Sequence, residues 1–170
     1  ANVGGTIVSA AADVGPAFNP MVTAIAITRI EGVTRAAIAP DSTSTMFGGQ
    51  GALVSMNNAP DSVFRDHAFM VVELGETGAQ RVGGSRAASW VAFEAALRDA
   101  REYPQRYQRG QGGTVLNELD ARALQPYARG QGTFLVHIDA ASDIRELLRM
   151  KRAHPELRFI IHGGAEAWLV

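Results

Sequence analysis

Two histidines close two predicted strands near the C-terminus, in Thr133-Phe134-Leu135-Val136-His137-Ile138-Asp139 and Arg158-Phe159-Ile160-Ile161-His162-Gly163-Gly164. Each run is apolar until its last residue or two and then turns polar. In a parallel βα fold, loops and helix N-termini converge at that end of the strands, so sites are built there. Two imidazoles at the ends of successive strands could meet at one metal ion. His137 and Asp139 also alternate along one strand, which points both side chains to one face. Neutral imidazole and carboxylate both ligate zinc-like ions. The competing reading makes Asp139 a cap for the next helix and His137 a satisfied core residue. After His162, Gly163-Gly164 allows close approach of backbone to a ligand, or simply marks a turn.

Carboxylates supply a second candidate group. Glu73-Leu74-Gly75-Glu76 places two of them at another strand end, where a general base or a metal-bridging carboxylate would stand. Their spacing keeps them off a shared strand face, so one of the two faces the site and the other is solvated. Phe47-Gly48-Gly49-Gln50-Gly51 could cradle a phosphate with backbone N–H groups. It lacks the P-loop lysine and precedes a strand, so a tight glycine turn in a hairpin explains it better. Gly83-Gly84-Ser85-Arg86 opens a helix and could hold an anion there, although capping alone accounts for the serine. His67 and His154 are assigned to no site, His154 being suited to a helix C-terminus. A G-x-S-x-G nucleophile signature is absent.

These residues need elements to position them. Asn19-Pro20 predicts a helix start, with the helix running to Arg29 or Glu31 and stopping at Gly32. The residues before it are Gly- and Ala-rich and read as loop or tie-down. Strands are expected over Val33 to Ala39, Ala52 to Met56 and Ala68 to Leu74, with a polar loop at Asp41-Ser42-Thr43-Ser44-Thr45. Ser85 predicts the cap of a long helix with a stripe of Ala88, Val91, Ala92, Ala95 and Ala96, and Leu97 at its edge. Pro104 ends or kinks it. A helix over Glu118 to Ala128 follows, capped by Asn117 and stopped at Gly130. The strand to His137 comes next. Then comes a helix capped by Asp139 or Ser142, with Ile144, Leu147 and Leu148 on its apolar face, closed by Pro155 before the strand to His162. Arg109-Gly110-Gln111-Gly112 and Arg129-Gly130-Gln131-Gly132 read as two similar turns, not a solenoid repeat. Strands alternating with helices predict an α/β fold with a mainly parallel sheet and a short hairpin.

With 170 residues the chain can bury one core, so a single domain over 1–170 is expected. Hydrophobic residues at 46% and charged residues at 19% fit a globular chain, not a disordered one. A net charge of −1 gives no electrostatic case for nucleic acid or an anionic membrane. No apolar run reaches the roughly 18 residues of a membrane span. Without cysteine there is no disulfide framework and no thiolate chemistry. The compartment stays open between cytoplasmic and secreted or periplasmic. A start at Ala1-Asn2-Val3 and an abrupt end at Val170 predict part of a larger (β/α)8 barrel, which needs about 250 residues.

Several segments, taken in order, resemble the metal-dependent amidohydrolases, in particular the imidazolonepropionase-related branch. They are Phe18-Asn19-Pro20, Glu31-Gly32-Val33-Thr34-Arg35 through Ala39-Pro40, Gly48-Gly49-Gln50-Gly51-Ala52 and Glu73-Leu74-Gly75-Glu76. Ser85-Arg86-Ala87-Ala88, Leu135 through Ile144, and Gly164-Ala165-Glu166-Ala167-Trp168 follow. The resemblance implies a (β/α)8 barrel holding one or two divalent metals, zinc foremost, and attack of metal-activated water on an amide or cyclic amide. It implies His137 and His162 as metal ligands, Glu76 and Asp139 as catalytic residues, and Arg86 and Glu166 as substrate-binding residues. It also implies departures. The family's first-strand His-x-His would precede residue 1, and the metal-binding Asp of its final strands would lie beyond Val170. A fourth-strand Lys would fall on Val71. A gapless match puts Gly163 at the sixth-strand ligand position, with His162 one residue early and turned to the other face. The chain alone is therefore expected to be inactive and to self-associate or to need the missing barrel segments. The alternative is a degenerate, non-catalytic barrel that binds a ligand or partner.

Overall fold

The computed structural model describes residues 9–41, 44–108 and 113–170. The Arg109-Gly110-Gln111-Gly112 turn and part of the Asp41–Thr45 loop lie outside the described residues. Five strands form one sheet in chain order: β1 (Arg35–Ile38), β2 (Phe47–Ser55), β3 (Val63–Glu73), β4 (Thr133–Ile138) and β5 (Arg158–Gly163). β1–β2 and β2–β3 are antiparallel, whereas β3–β4 and β4–β5 are parallel. The sheet is therefore mixed, half antiparallel, where the sequence pattern predicts a mainly parallel one. The expected short hairpin is in fact a three-stranded meander, because β2 and β3 are long enough to pair along most of their length. Among the described residues no helix is long and apolar enough to cross a membrane.

The helices are α1 (Thr23–Ile30), α2 (Gly75–Arg81), α3 (Arg86–Arg101), α4 (Gln105–Gln108), α5 (Glu118–Ala128) and α6 (Ala141–Ala153), with a short 3-10 turn at Ala167–Leu169. Capping chemistry fixes two of the starts as expected. The Ser85 hydroxyl accepts from the Ala88 N–H at the head of α3, and Asn117 Oδ1 accepts from the Asp120 N–H at the head of α5. α1 begins later than Asn19-Pro20 suggests, because Asn19 Oδ1 closes a local turn onto the Met21 N–H instead. α2 is unforeseen: the chain turns into it directly after β3, at Gly75.

Neither Asp139 nor Ser142 caps α6. Its first free N–H, at Ala141, donates 2.8 Å to Glu166 Oε2, a side chain from beyond the next strand. The buried stripe of α3 also differs from the expected one. Ser89, Phe93, Ala96, Leu97 and Ala100 face inward while Val91 is 66% exposed. Phe93 sets that rotation, because its ring packs edge-on to Phe134 and tilted to Phe47, at centroid distances of 5.5 and 6.0 Å.

The core lies between the outer face of the parallel strands and helices α3, α5 and α6. Met70 and Val72 of β3 and Phe134, Val136 and Ile138 of β4 alternate onto that face and are almost fully buried. A second, small cluster of Ile25, Val54 and Met56 sits under α1. Phe47-Gly48-Gly49-Gln50-Gly51 is not the tight turn it resembles; it is the first part of β2. Gly51 is needed there because a Cβ would lie 2.2 Å from the Phe69 ring, which crosses it from the paired strand. The sheet's other face carries the residues of odd register: Val71 beside Leu135 beside Ile160, then Glu73 beside His137 beside His162.

Candidate functional site

Parallel register brings three strand ends together. Glu73 pairs with His137 in the β3–β4 ladder, and His137 pairs with His162 in the β4–β5 ladder. Residues opposite one another in a parallel ladder share a face. His162 thus stands on the face of His137, not on the opposite one that the gapless match implies, and the two rings lie 5.3 Å apart. Gly163 pairs with Ile138, on the helix-covered side of the ladder. Its φ of +92° and the 2.6 Å that a Cβ would leave to Asp139 Oδ1 make glycine the residue that fits there.

The His137 ring is held from one side. Its Nδ1 lies 2.8 Å from Glu73 Oε2, and its Nε2 is 3.7 Å from Asp139 Oδ2. With a carboxylate on Nδ1, the Nε2 edge is the one left for chemistry. The sequence offers Glu73 and Glu76 alike and does not show the partner of either. Strand parity puts it on the face of Val71, but only the parallel register shows that it meets His137. Val71 itself stands beside Leu135, one step deeper.

Two cavities flank His137. One, of about 240 Å³, is lined by Glu76, Thr77, Asp139, Asp143 and Glu166 together with His137. The other, of about 200 Å³, is lined by Pro40, Asp41, Val71, Glu73, Leu135 and His162 together with His137. Glu76 and Asp139, the expected catalytic carboxylates, thus share one cavity, while His162 faces the other. Asp41, read from the sequence as plain loop, reaches the site because β1 ends beside it.

The expected substrate-binding residues stand differently. One Glu166 oxygen caps α6 at Ala141, although the residue still lines the first cavity. Arg86 lies behind that cavity, with Nη1 3.4 Å from both Ser142 Oγ and Asp143 Oδ2, in a shallow groove beside Trp90. Asp143 is a buried carboxylate in the first turn of α6, where the helix dipole favours negative charge. The β4 and β5 loops are laced together: the N–H groups of Gly164, Ala165 and Glu166 donate to Ile138 O, Asp139 Oδ1 and Asp139 O. This lacing fixes where Asp139 points.

A divalent metal needs several converging donors. Among the described residues no group of three or more His, Cys, Asp or Glu converges as a metal-holding set. The pair of imidazoles, with a carboxylate orienting one of them, fits a share of such a set in donor type.

Neither a family model nor a curated protein matches this sequence. The fold, however, has a solved counterpart. It is similar to the crystal structure of an amidohydrolase from Thermotoga maritima MSB8, with a TM-score of 0.72 at 20% identity, over 89% of this chain and 42% of that one. The chain thus spans less than half the length of that structure, and the likeness is one of fold.

Proposed function

We propose that this chain forms part of a larger metal-dependent amidohydrolase barrel, related to the imidazolonepropionases, that hydrolyses an amide or cyclic amide of a small or peptide-like substrate. The observation that carries this reading is the ladder Glu73–His137–His162 at the ends of three adjacent strands, on a fold shared with an amidohydrolase. His137 Nε2 and His162 would hold a divalent metal, zinc foremost, together with ligands from the rest of the barrel. When bound, such a metal lowers the pKa of water and polarises a carbonyl.

The chain's own residues do the rest. Glu73 accepts the Nδ1 proton of His137 and fixes the ring with Nε2 toward the site. Asp139, 3.7 Å from that edge, and Glu76 across the cavity would take a proton from water and return it to the leaving nitrogen. The inner face of the β4–β5 edge is open, Ile160 being 54% exposed, which fits a barrel completed by further strands. Alone, the chain is inactive and self-associates along its edges.

The test is zinc affinity of the 170-residue chain by calorimetry, beside amidase assays. Weak zinc binding that disappears in His137→Ala and His162→Ala, and falls about 10–100-fold in Glu73→Gln, is expected. No amidase turnover is expected from the chain alone. Zinc binding indifferent to all three substitutions would sink the proposal. That no third ligand converges among the described residues favours a second reading, a non-catalytic barrel that binds a ligand or partner. In that case the full-length protein binds no metal at His137.

A further inference from the structure

We propose that a third cavity, on the helix-covered side of the sheet, binds a small aliphatic monocarboxylate through Arg81. This cavity, of about 250 Å³, shares no lining residue with the cavity of Glu76 and Asp139. Its walls include Phe47, Val82, Ala96 and Leu116, with Arg81 and Ser44 on its polar side. Arg81 stands in the last turn of α2. Its Nε is buried without a hydrogen-bond partner. Among the described residues no carboxylate lies within ion-pair distance of its guanidinium. Arg106 offers the contrast: its Nε also lacks a well-angled hydrogen bond, yet it lies 3.3 Å from Asp99 Oδ1, and its Nη1 reaches Glu102. Arg81 is thus a partly buried cation on the cavity wall that, among the described residues, has no carboxylate partner. A buried N–H without an acceptor is costly, and an anionic acceptor removes that cost.

The class of ligand follows from the walls. A guanidinium fork matches a carboxylate in two parallel hydrogen bonds. The volume lies below the roughly 300–1,000 Å³ of sites for drug-sized ligands and, at roughly 30 Å³ per water-sized atom, holds on the order of eight heavy atoms. Apolar side chains around them suit a short hydrocarbon tail. One cation balances one negative charge. A buried carboxylate stands behind the wall, Asp120 accepting from the Ser9 N–H, and its field disfavours a dianion such as phosphate more than a monoanion.

Calorimetric titration of the 170-residue chain with butyrate, butyramide and inorganic phosphate tests this. Butyrate is expected to bind at one site, and the isosteric butyramide and phosphate at least about tenfold more weakly, since a charge-assisted hydrogen bond contributes that much. Arg81→Gln is expected to weaken butyrate by a similar factor. In amide NMR spectra, butyrate should shift Val82 and Leu116 and leave His137 in place. The butyramide comparison uses the unaltered chain, so it decides even if the substitution disturbs folding. Absence of butyrate binding, equal binding of butyramide or of phosphate, unchanged affinity in Arg81→Gln, or shifts centred on His137 would each overturn the proposal.

Discussion

The parallel and antiparallel halves of the sheet are packed to different depths. Behind β3 and β4 lies a continuous core in which Phe93, Phe134, Tyr127 and Leu124 are fully or almost fully buried, and the edge strand β5 adds the partly buried Phe159 to it. Behind β1 and the far end of β2 lies only the cluster of Ile25, Val54 and Met56 beneath α1. α1 itself leaves Ile27 and Ile30 exposed at 57% and 82%. The deep half carries His137, with His162 beside it on the exposed edge strand β5; the shallow half contributes Asp41 at the margin. Packing leaves β4 the less free of the two strands, so His137 is the better fixed member of the pair. β3 belongs to both halves, and its Glu73 joins them at the site.

The largest expected effect tests that difference in depth. Phe93→Ala should cost about 3–5 kcal/mol in denaturant unfolding, since it removes a ring packed on two others. Val54→Ala, in the small cluster, should cost about 1.5–3 kcal/mol at most. Equal losses would erase the contrast between the halves.

The seam between the halves comes next. Asp120 of α5 accepts from the N–H groups of Ser9 and Ala11 and from Asn117 Nδ2. A little further on, the same N-terminal segment bonds to β2, through the Val14 N–H to Gln50 O and the Gln50 N–H to Ala12 O. Asp120→Ala should lose about 1–3 kcal/mol and speed hydrogen exchange at Ser9 and Ala11. Unchanged exchange at those two amides would mean that the segment is held to the sheet without α5.

A smaller effect sharpens the picture at the site. Gly163→Ala forces a side chain into the left-handed region, at about 1–2 kcal/mol, and crowds Asp139 and His137. The imidazole resonances of His137 and His162 should both move, while β1 and β2 amides stay put. Movement confined to β5 would show that the two strand ends are not coupled.

The smallest effect is one of pH. Tyr127 of α5 donates to His67 O of β3 at 3.0 Å, another link across the seam. Burial, and then the charge of Asp13, pushes its phenol up to about 12 from an ordinary 10. The folded state therefore keeps a proton that the unfolded chain gives up. Its contribution is complete below pH 10 and is lost as pH rises toward 12. Tyr107, pushed up to about 12 chiefly by burial, shares the window. Tyr127→Phe should flatten part of the stability loss between those pH values; an unaltered slope would assign the whole effect elsewhere.

Local chemistry made much of the deep half legible. Asn117 and Gly130 bracket α5, Ser85 opens α3, and the apolar runs before His137 and His162 became β4 and β5, because caps and short apolar strands leave their signals in neighbouring residues. The shallow half was harder to read. β2 runs through Gly48-Gly49-Gln50-Gly51, a turn-like composition, because the Phe69 ring and the N-terminal segment approach its backbone closely. Bulges between Phe47 and Gly49 and between Gly51 and Val54 set its pairing, and these depend on both strands at once.

The sequence by itself determined that His137 and His162 end successive strands, that Asp139 lies beside the first, and that carboxylates stand at the end of β3. Each follows from alternation and local punctuation within one segment. Only the tertiary structure decided that Glu73, not Glu76, holds His137, that His162 shares its face, that Glu166 caps α6, and that Arg81 is left facing a cavity. Those relations join segments dozens of residues apart, and the register and packing that create them are properties of the assembled sheet rather than of any one stretch of chain.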